Sequence, residues 1–427
     1  MVVESQNLLN SLYEKADRGF AMDSQSQAWE LFKSLGLPTK DKEAFRYLSL
    51  QELYRKEFCV DSVTSSISEL PSTDNHRFIF VDGVFIQALS SLGGLSPAVV
   101  YCTLKEALKT YGSLLKGRFS KFLKETHGGL TFLNHALFEE GFFLYIPQKV
   151  HIDKPIEIVE LYSSEEAKIH FPKNLIYLGS DAKACFSIQA VANTEASQWI
   201  NQLTEFHLEA RSQCLVNKEL LGACSSFYFD HVCAFLRKDA HFSCFTGDGG
   251  SPLLRQEFTV ELLEQGARAF LKGLSILEKK NQSHHYITMR HKAPHCESHQ
   301  HFKGVLFDQA RLSFEGKICV DKDAQKTQAY QRSNHLLLGK KATAYSKPNL
   351  EIFADDVKAS HGATIAKLQD EELFYLKARG LDLATAKKLL LKGFCKELIQ
   401  HLPVSNVVLE EHFDLHLASI LDRQTRG

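Results

Sequence analysis

From about residue 140 the apolar residues of this chain stop recurring every three to four positions and begin to alternate. Alternation forces extended strands with one buried face, because successive side chains on a strand point to opposite sides. The stretch "ARLSFEGKICV" sets Leu312, Phe314, Gly316, Ile318 and Val320 against Ser313, Glu315, Lys317 and Cys319, and "KACFSIQAV" and "ARAFLKGLSIL" behave alike. A weak echo runs through this region: a polar residue or Gly, then Ala, then a polar residue, then a strand. It recurs at Ala182, Ala210, Ala240, Ala267, Ala310 and Ala342, separated by 28, 30, 27, 43 and 32 residues. Turn-plus-strand units at near-regular spacing predict a solenoid, in which each coil buries its inner face against the next. Periodicity alone also accommodates a large β-sandwich with hairpins.

Both flanks read as helical. "SQNLLNSLYEKA" and "SQSQAWELFKSL" carry apolar residues at three-to-four spacing, each opened by a Ser able to cap, and Gly36-Leu37-Pro38 closes the second. "FIFVDGVFIQAL" reads as a hairpin turning at Asp82-Gly83. After residue 367 the helical period returns: Asp370 is placed to cap "EELFYLKAR", and Gly380 fits the left-handed C′ position. A helix after Asp382 aligns Ala386, Leu390, Phe394 and Leu398 up to Pro403, and a third aligns Leu409, Phe413, Leu417 and Ile420. The expected organisation is an N-terminal helical region with a hairpin (1–140), a β core (141–367) and a C-terminal helical domain (368–427).

With 427 residues and 44% hydrophobic content, the chain can bury a sizeable core without staples. Fifty Lys+Arg against 51 Asp+Glu leave nothing global to attract nucleic acid or an acidic membrane. Gly83 to Leu104 runs 22 residues without a charge, but Gln87, Pro97 and "SSLGG" speak against a membrane helix. The N-terminus lacks the basic and apolar regions of a signal peptide, and the ten cysteines are scattered without a C-x-x-C, so reduced thiols in a cytoplasm are expected.

No nucleotide site is expected. The nearest approach to a phosphate-binding loop, "NHLLLGKKAT", has Asn334 where the first Gly belongs and Lys341 where the hydroxyl belongs. The segment "HHYITMRHKAPHCESHQH", residues 284–301, holds six histidines. On a strand His285, Ile287, Met289 and His291 face one way and His284 the other, while His299 and His301 share a face. The imidazoles therefore cannot all converge on one ion, and no second cluster supplies a tetrahedral set. A metal-dependent homodimeric enzyme built on this segment is the alternative reading.

The run "KPNLEIFADDVKASHGATIAKLQDEELFYLKARGL" resembles the SufD type of the SufB/SufD family, the non-ATPase subunits of the SUF iron–sulfur cluster assembly machinery. So do "GLPTKDKEAFRYLSL" at 36–50, the stretch from His291 to Leu338 and "LKGFCKEL" at 391–398. The resemblance implies a right-handed parallel β-helix flanked by helical regions, pairing with a SufB-like subunit through the β-helix and binding the SufC-like ABC ATPase through the C-terminal helices. It implies a non-catalytic scaffold, empty when isolated and compatible with a homodimer in that state.

By the same resemblance His361 of "SHGAT" is the candidate ligand of a nascent, transient iron–sulfur cluster, facing a cysteine of the SufB-like partner. Many family members carry a thiol two residues earlier; here that residue is Ala359, on the face that His361 would share. Apolar residues at helical spacing are expected in the core, here Leu373, Leu376, Leu390 and Phe394, leaving Phe374, Tyr375, Arg379 and Lys392 as candidate ATPase-facing residues. The participation of a flavin is not readable from these residues.

Overall fold

The computed structural model describes residues 2–16, 21–59, 73–115, 118–119, 128–192, 194–222, 226–399 and 407–426. Among these residues six α-helices precede or interrupt the first strands: α1 (Val2–Lys15), α2 (Met22–Leu35), α3 (Gln51–Arg55), α4 (Leu104–Thr110), α5 (Gly112–Leu115) and α6 (Gly129–Leu137). The early strands are β1 (His76–Val81), β2 (Val84–Phe85), β3 (Val100–Thr103), β4 (Phe142–Ile146), β5 (Ile156–Tyr162), β6 (Lys168–His170) and β7 (Lys173–Leu178). Thirteen longer strands follow: β8 (Lys183–Ala192), β9 (Gln198–Leu208), β10 (Gln213–Gly222), β11 (Ser226–Leu236), β12 (His241–Asp248), β13 (Leu253–Leu262), β14 (Arg268–Leu277), β15 (Gln282–His291), β16 (Glu297–Leu306), β17 (Arg311–Val320), β18 (Gln328–Leu337), β19 (Thr343–Ile352) and β20 (Lys358–Ala366). Three helices end the chain: α7 (Asp370–Ala378), α8 (Leu383–Ile399) and α9 (Val407–Arg426).

The strands form a parallel β-solenoid. From β8 onward the chain alternates between two sheets, the even strands stacking as β8-β10-β12-β14-β16-β18-β20 and the odd ones from β7 to β19. The register pairs Lys183↔Gln213, Gln213↔His241, His241↔Arg268, Arg268↔Glu297, Glu297↔Gln328 and Gln328↔Lys358 give coils of 27 to 31 residues. One face of every strand lines the interior, and on β17 it carries Leu312, Phe314, Gly316, Ile318 and Val320, as the alternation predicts.

The alanine echo has a sharper basis than spacing. At the corner entering each even strand from β8 to β18 a residue takes positive φ: Asp181, Arg211, Asp239, Gly266, His295 and Lys326. The residue after it, Ala182, Ser212, Ala240, Ala267, Cys296 or Thr327, is buried in the bend. Backbone bonds carry the ladder around this corner, as Asp181 N to Ala210 O (3.0 Å), Arg211 N to Lys238 O (2.8 Å) and His295 N to Gln325 O (2.9 Å) show. Small side chains are required because the bend aims them at the next coil. Ala210 is not part of this column, whose residue there is Ser212, whereas Ala310 and Ala342 precede odd strands at the opposite corner. The 43-residue step was therefore a change of corner, and Cys296 and Thr327 were the members an alanine search passed over.

One end of the solenoid is closed by the hairpin β1–β2, which turns at Asp82 (φ 50°) and Gly83 (φ 88°) with Phe80↔Phe85 in register, as read from the sequence. The N-terminal helices cover the outer face of the early odd strands, so β9 and β11 are buried on both faces. From there residues 36–50 run as a strap across the later odd strands. Arg255 of β13 donates to Ala44 O (2.8 Å) and lies over the Phe45 ring (4.1 Å), and Gln282 of β15 accepts from Ser49 N (2.9 Å). Lys347 of β19 pairs with Glu43, and Tyr47 stacks on Tyr345 at 4.4 Å.

The helix starts differ from expectation. α1 and α2 begin before their capping serines, Ser24 donating back to Ala21 O (3.0 Å), and α7 begins at Asp370 itself after an uncapped Gln369. Gly380 takes φ 89° with Leu381 N bonded to Leu376 O (3.3 Å), the expected C′ geometry, and Asp382 caps α8 by accepting from Thr385 N (2.9 Å). The buried stripe of α8 is Ala386, Leu391, Cys395, Leu398 and Ile399; Leu390 and Phe394 are only half-buried. The shift arises because α8 packs on two surfaces at once, α9 and the even sheet. Phe413, Leu417 and Ile420 of α9 are buried as expected; the Leu409 side chain, Cys224 and Pro403 lie outside the described residues.

Candidate functional site

His361 lies on β20, the last strand of the even sheet. Among the described residues β20 pairs only with β18, β19 likewise ends the odd sheet, and no further coil lies above the inward residues of these final strands. Ala359 and His361 are register partners of Ala329 and Gln331, both interior residues, so they share the inward face, as the two-residue spacing requires. Ala359 is half-buried against the core, whereas His361 is exposed at its rim and makes no side-chain hydrogen bond among the described residues. The ring is thus placed over the mouth of the solenoid interior. Beside it is an open depression of about 430 Å³ lined by Tyr330, Gln331, Arg332, Asn334, Ser360 and Thr364 among others.

The rim itself is apolar. Ile352, Phe353 (66% exposed) and Ile365 (44%) are left to solvent where the stack stops. Solenoids ordinarily finish with a polar or covered coil, because the last interior face otherwise meets water. Two sheet edges, an uncovered interior and an unbonded imidazole therefore coincide at one end of the molecule.

Below His361 runs a column that sequence reading passed over. Gln331 (3% exposed) and Gln300 (2%) occupy successive inward positions, and Gln331 Nε2 donates to Gln300 Oε1 at 2.8 Å. The signal was present in "QAYQRSNHLL", where alternation puts Gln331 and Ser333 on the apolar face, but polar residues at core positions carry no label of their own.

The six crowded histidines go to four environments. His285 and His291 point inward: His285 Nε2 lies 2.9 Å from Ser275 Oγ, and His291 Nε2 lies 2.8 Å from Ser298 Oγ. His284 faces outward but is sealed under the strap beside Arg255, while His295 is the left-handed corner residue. His299 and His301 share the outer face of β16, bonded to Glu297 (2.8 Å) and to Asn334 (3.2 Å). Burial holds the His285, His291 and His301 rings down, to about 3, 4 and 4, and His284 well below its ordinary value. The six imidazoles are spread over two faces and a corner, and among the described residues no group of three or more His, Cys, Asp or Glu could hold a metal ion.

The C-terminal helices sit on the outer face of the even sheet. Leu391, Cys395, Leu398, Phe413 and Leu417 cluster with Phe245, Leu274, Ile276 and Val305, and Lys303 of β16 donates to Phe394 O (2.8 Å) and pairs with Glu397. A Cβ on Gly247 would come within 2.1 Å of the Phe413 ring, so glycine is needed for this approach. α7 by contrast has no buried residue. Phe374 is 73% exposed and Tyr375 56%, with the Arg379 guanidinium over the Tyr375 ring at 4.5 Å; Leu373 and Leu376 are only half-buried. The candidates Phe374, Tyr375 and Arg379 are thus gathered on one uncovered helix, while Lys392 belongs to α8 and pairs with Asp414 at 2.6 Å.

Among the described residues no helix is long and apolar enough to cross a membrane, and every cysteine is a free thiol. Comparison with known proteins matches residues 161–394 to the SufBD core domain of the SUF system for FeS cluster assembly, and residues 10–158 to the SufBD N-terminal region. The iron-sulfur cluster assembly SufBD family protein slr0076 of Synechocystis is 26% identical over 404 residues, covering 90% of this chain and 88% of that protein. The iron-sulfur cluster assembly protein SufD of Escherichia coli is 26% identical over 397 residues (92% and 91%), and SufB of Bacillus subtilis is 21% identical over 311 (73% and 67%). A match to the core domain over more than half of this chain, on a solenoid with these flanking helices, shows that the chain belongs to the SufBD family of iron–sulfur cluster assembly proteins.

Proposed function

We propose that the chain is a SufD-type scaffold without chemistry of its own, which pairs through the open end of its solenoid with a SufB-type subunit. The observation that carries this reading is the coincidence of two unpaired edges, β19 and β20, with exposed Ile352, Phe353 and Ile365 at one end. A second solenoid abutting that end would continue the interior and cover this rim, worth about 1.5–3 kcal/mol for each large apolar side chain removed from water. In this arrangement His361 stands at the seam. Assembly of an iron–sulfur cluster needs thiolate or imidazole donors close together, and a seam lets two chains each supply one. With Ala359 beside it instead of a thiol, His361 is this chain's single donor there. The uncovered α7, held out from helices anchored on the even sheet, supports docking of a SufC-type ATPase at Phe374, Tyr375 and Arg379.

The test is co-expression of the chain with SufB-type and SufC-type partners, carrying His361→Ala. The complex should purify intact while cluster assembly, read by absorbance and iron content, is lost. Assembly at the wild-type level would overturn the ligand role, and a complex that fails to form would overturn the assignment of His361 to donor rather than to packing.

A further inference from the structure

Gln331 sits on the strand next to His361, in register with it and on the same inward face. Its amide nitrogen is already committed to Gln300 Oε1 at 2.8 Å, whereas its oxygen Oε1 is buried without any hydrogen-bond partner. A buried carbonyl left unpaired costs roughly 1–3 kcal/mol, so one placed beside an interface invites a donor. The position is also built. Gly316, across the interior on β17, leaves the space the amide occupies, since a Cβ there would come within 1.8 Å of Gln331 Nε2. With the nitrogen committed to the coil below, the register partner of Gln331 on the coil above is His361, whose ring makes no hydrogen bond among the described residues.

We infer that Gln331 is a positioning residue for His361: on a turn of the exposed His361 side chain toward the mouth, its amide oxygen accepts the N–H of one imidazole nitrogen and so presents the lone pair of the other to the partner subunit and the nascent cluster. The inference rests on the reading of His361 as a donor and adds what orients it. An imidazole binds a metal only through an unprotonated nitrogen, and a fixed acceptor behind the ring selects which nitrogen that is.

The experiment reads the ring itself, without cluster or partner. Two-bond proton–nitrogen correlation spectra of the full chain give the His361 tautomer ratio, with His361→Ala identifying the signal. Gln331→Glu retains an acceptor, and Gln300 can turn its own unpartnered Nε2 to donate to it. The double variant Gln300→Met/Gln331→Met removes both amides at similar shape, a change that need cost little stability. One tautomer should predominate in the wild type and in Gln331→Glu, and the ratio should shift roughly fivefold in the double variant, the bias an ordinary hydrogen bond supplies. A ratio unchanged in the double variant overturns the inference, as does Gln331→Glu behaving like the double variant. Loss of assembly in His361→Ala with no tautomer bias would sink this inference alone; retained assembly in His361→Ala would sink the donor role whatever the tautomer.

Discussion

Histidine is used here in several distinct ways, and neighbours rather than residue type decide which. His291 is fully buried against Ser298, and burial pushes its ring down to about 4. The unfolded chain takes up that proton near 6.5, so between about 6.5 and about 4 the unfolded state binds more protons, and stability is lost as pH falls through this window. The loss is on the order of 3 kcal/mol for a shift of this size. Asp248, raised by burial to about 7, works in the opposite sense over much of the same range, because its folded form holds the proton more tightly. Melting of wild type and His291→Gln at pH 7 and pH 4.5 separates the two: the variant should lose less stability on acidification, and an equal loss would show that this ring does not titrate on unfolding. From the sequence, alternation put His285 and His291 on one face with Ile287 and Met289, and the structure turns that face inward. It could not give the serines that meet them, which come from other strands.

Elements were legible where one neighbour decides their pattern. The strand alternation, the Asp82-Gly83 hairpin and the Gly380 terminus each depend on residues close in sequence, and each is found as read. The α8 stripe was misplaced at Leu390 and Phe394 because that helix serves two packing surfaces, and the strap at 36–50 was seen as a motif but not as a brace. What braces it is Arg255, 211 residues away from its acceptor at Ala44. α7 makes a prediction at this scale. Since no residue of it is buried, Phe374→Ser should change the stability of the isolated chain by no more than about 0.5 kcal/mol, as for other exposed sites. It should weaken capture of a SufC-type ATPase by about tenfold or more if Phe374 is an anchor of that contact. Unchanged affinity by titration calorimetry would remove α7 from the docking surface.

At the scale of the molecule, the solenoid is closed at one end and unfinished at the other, a feature no periodicity reports because the last coil alternates like the rest. It became visible only when strand order showed that β19 and β20 have a neighbour on one side each. Amides of residues 358–366 that face the free edge should exchange quickly in the isolated chain and slow by about tenfold or more when a SufB-type subunit is added. Slowing confined to another region would place the seam elsewhere.

The lysine that ties α8 to the sheet, Lys303, stands on β16, and β20 is reached from there across β18 alone. At the usual strand separation that is a lever arm of roughly 10 Å. A tug delivered to the last helices by a motor would therefore reach the mouth of the stack after crossing a single ribbon, with little slack in which to dissipate.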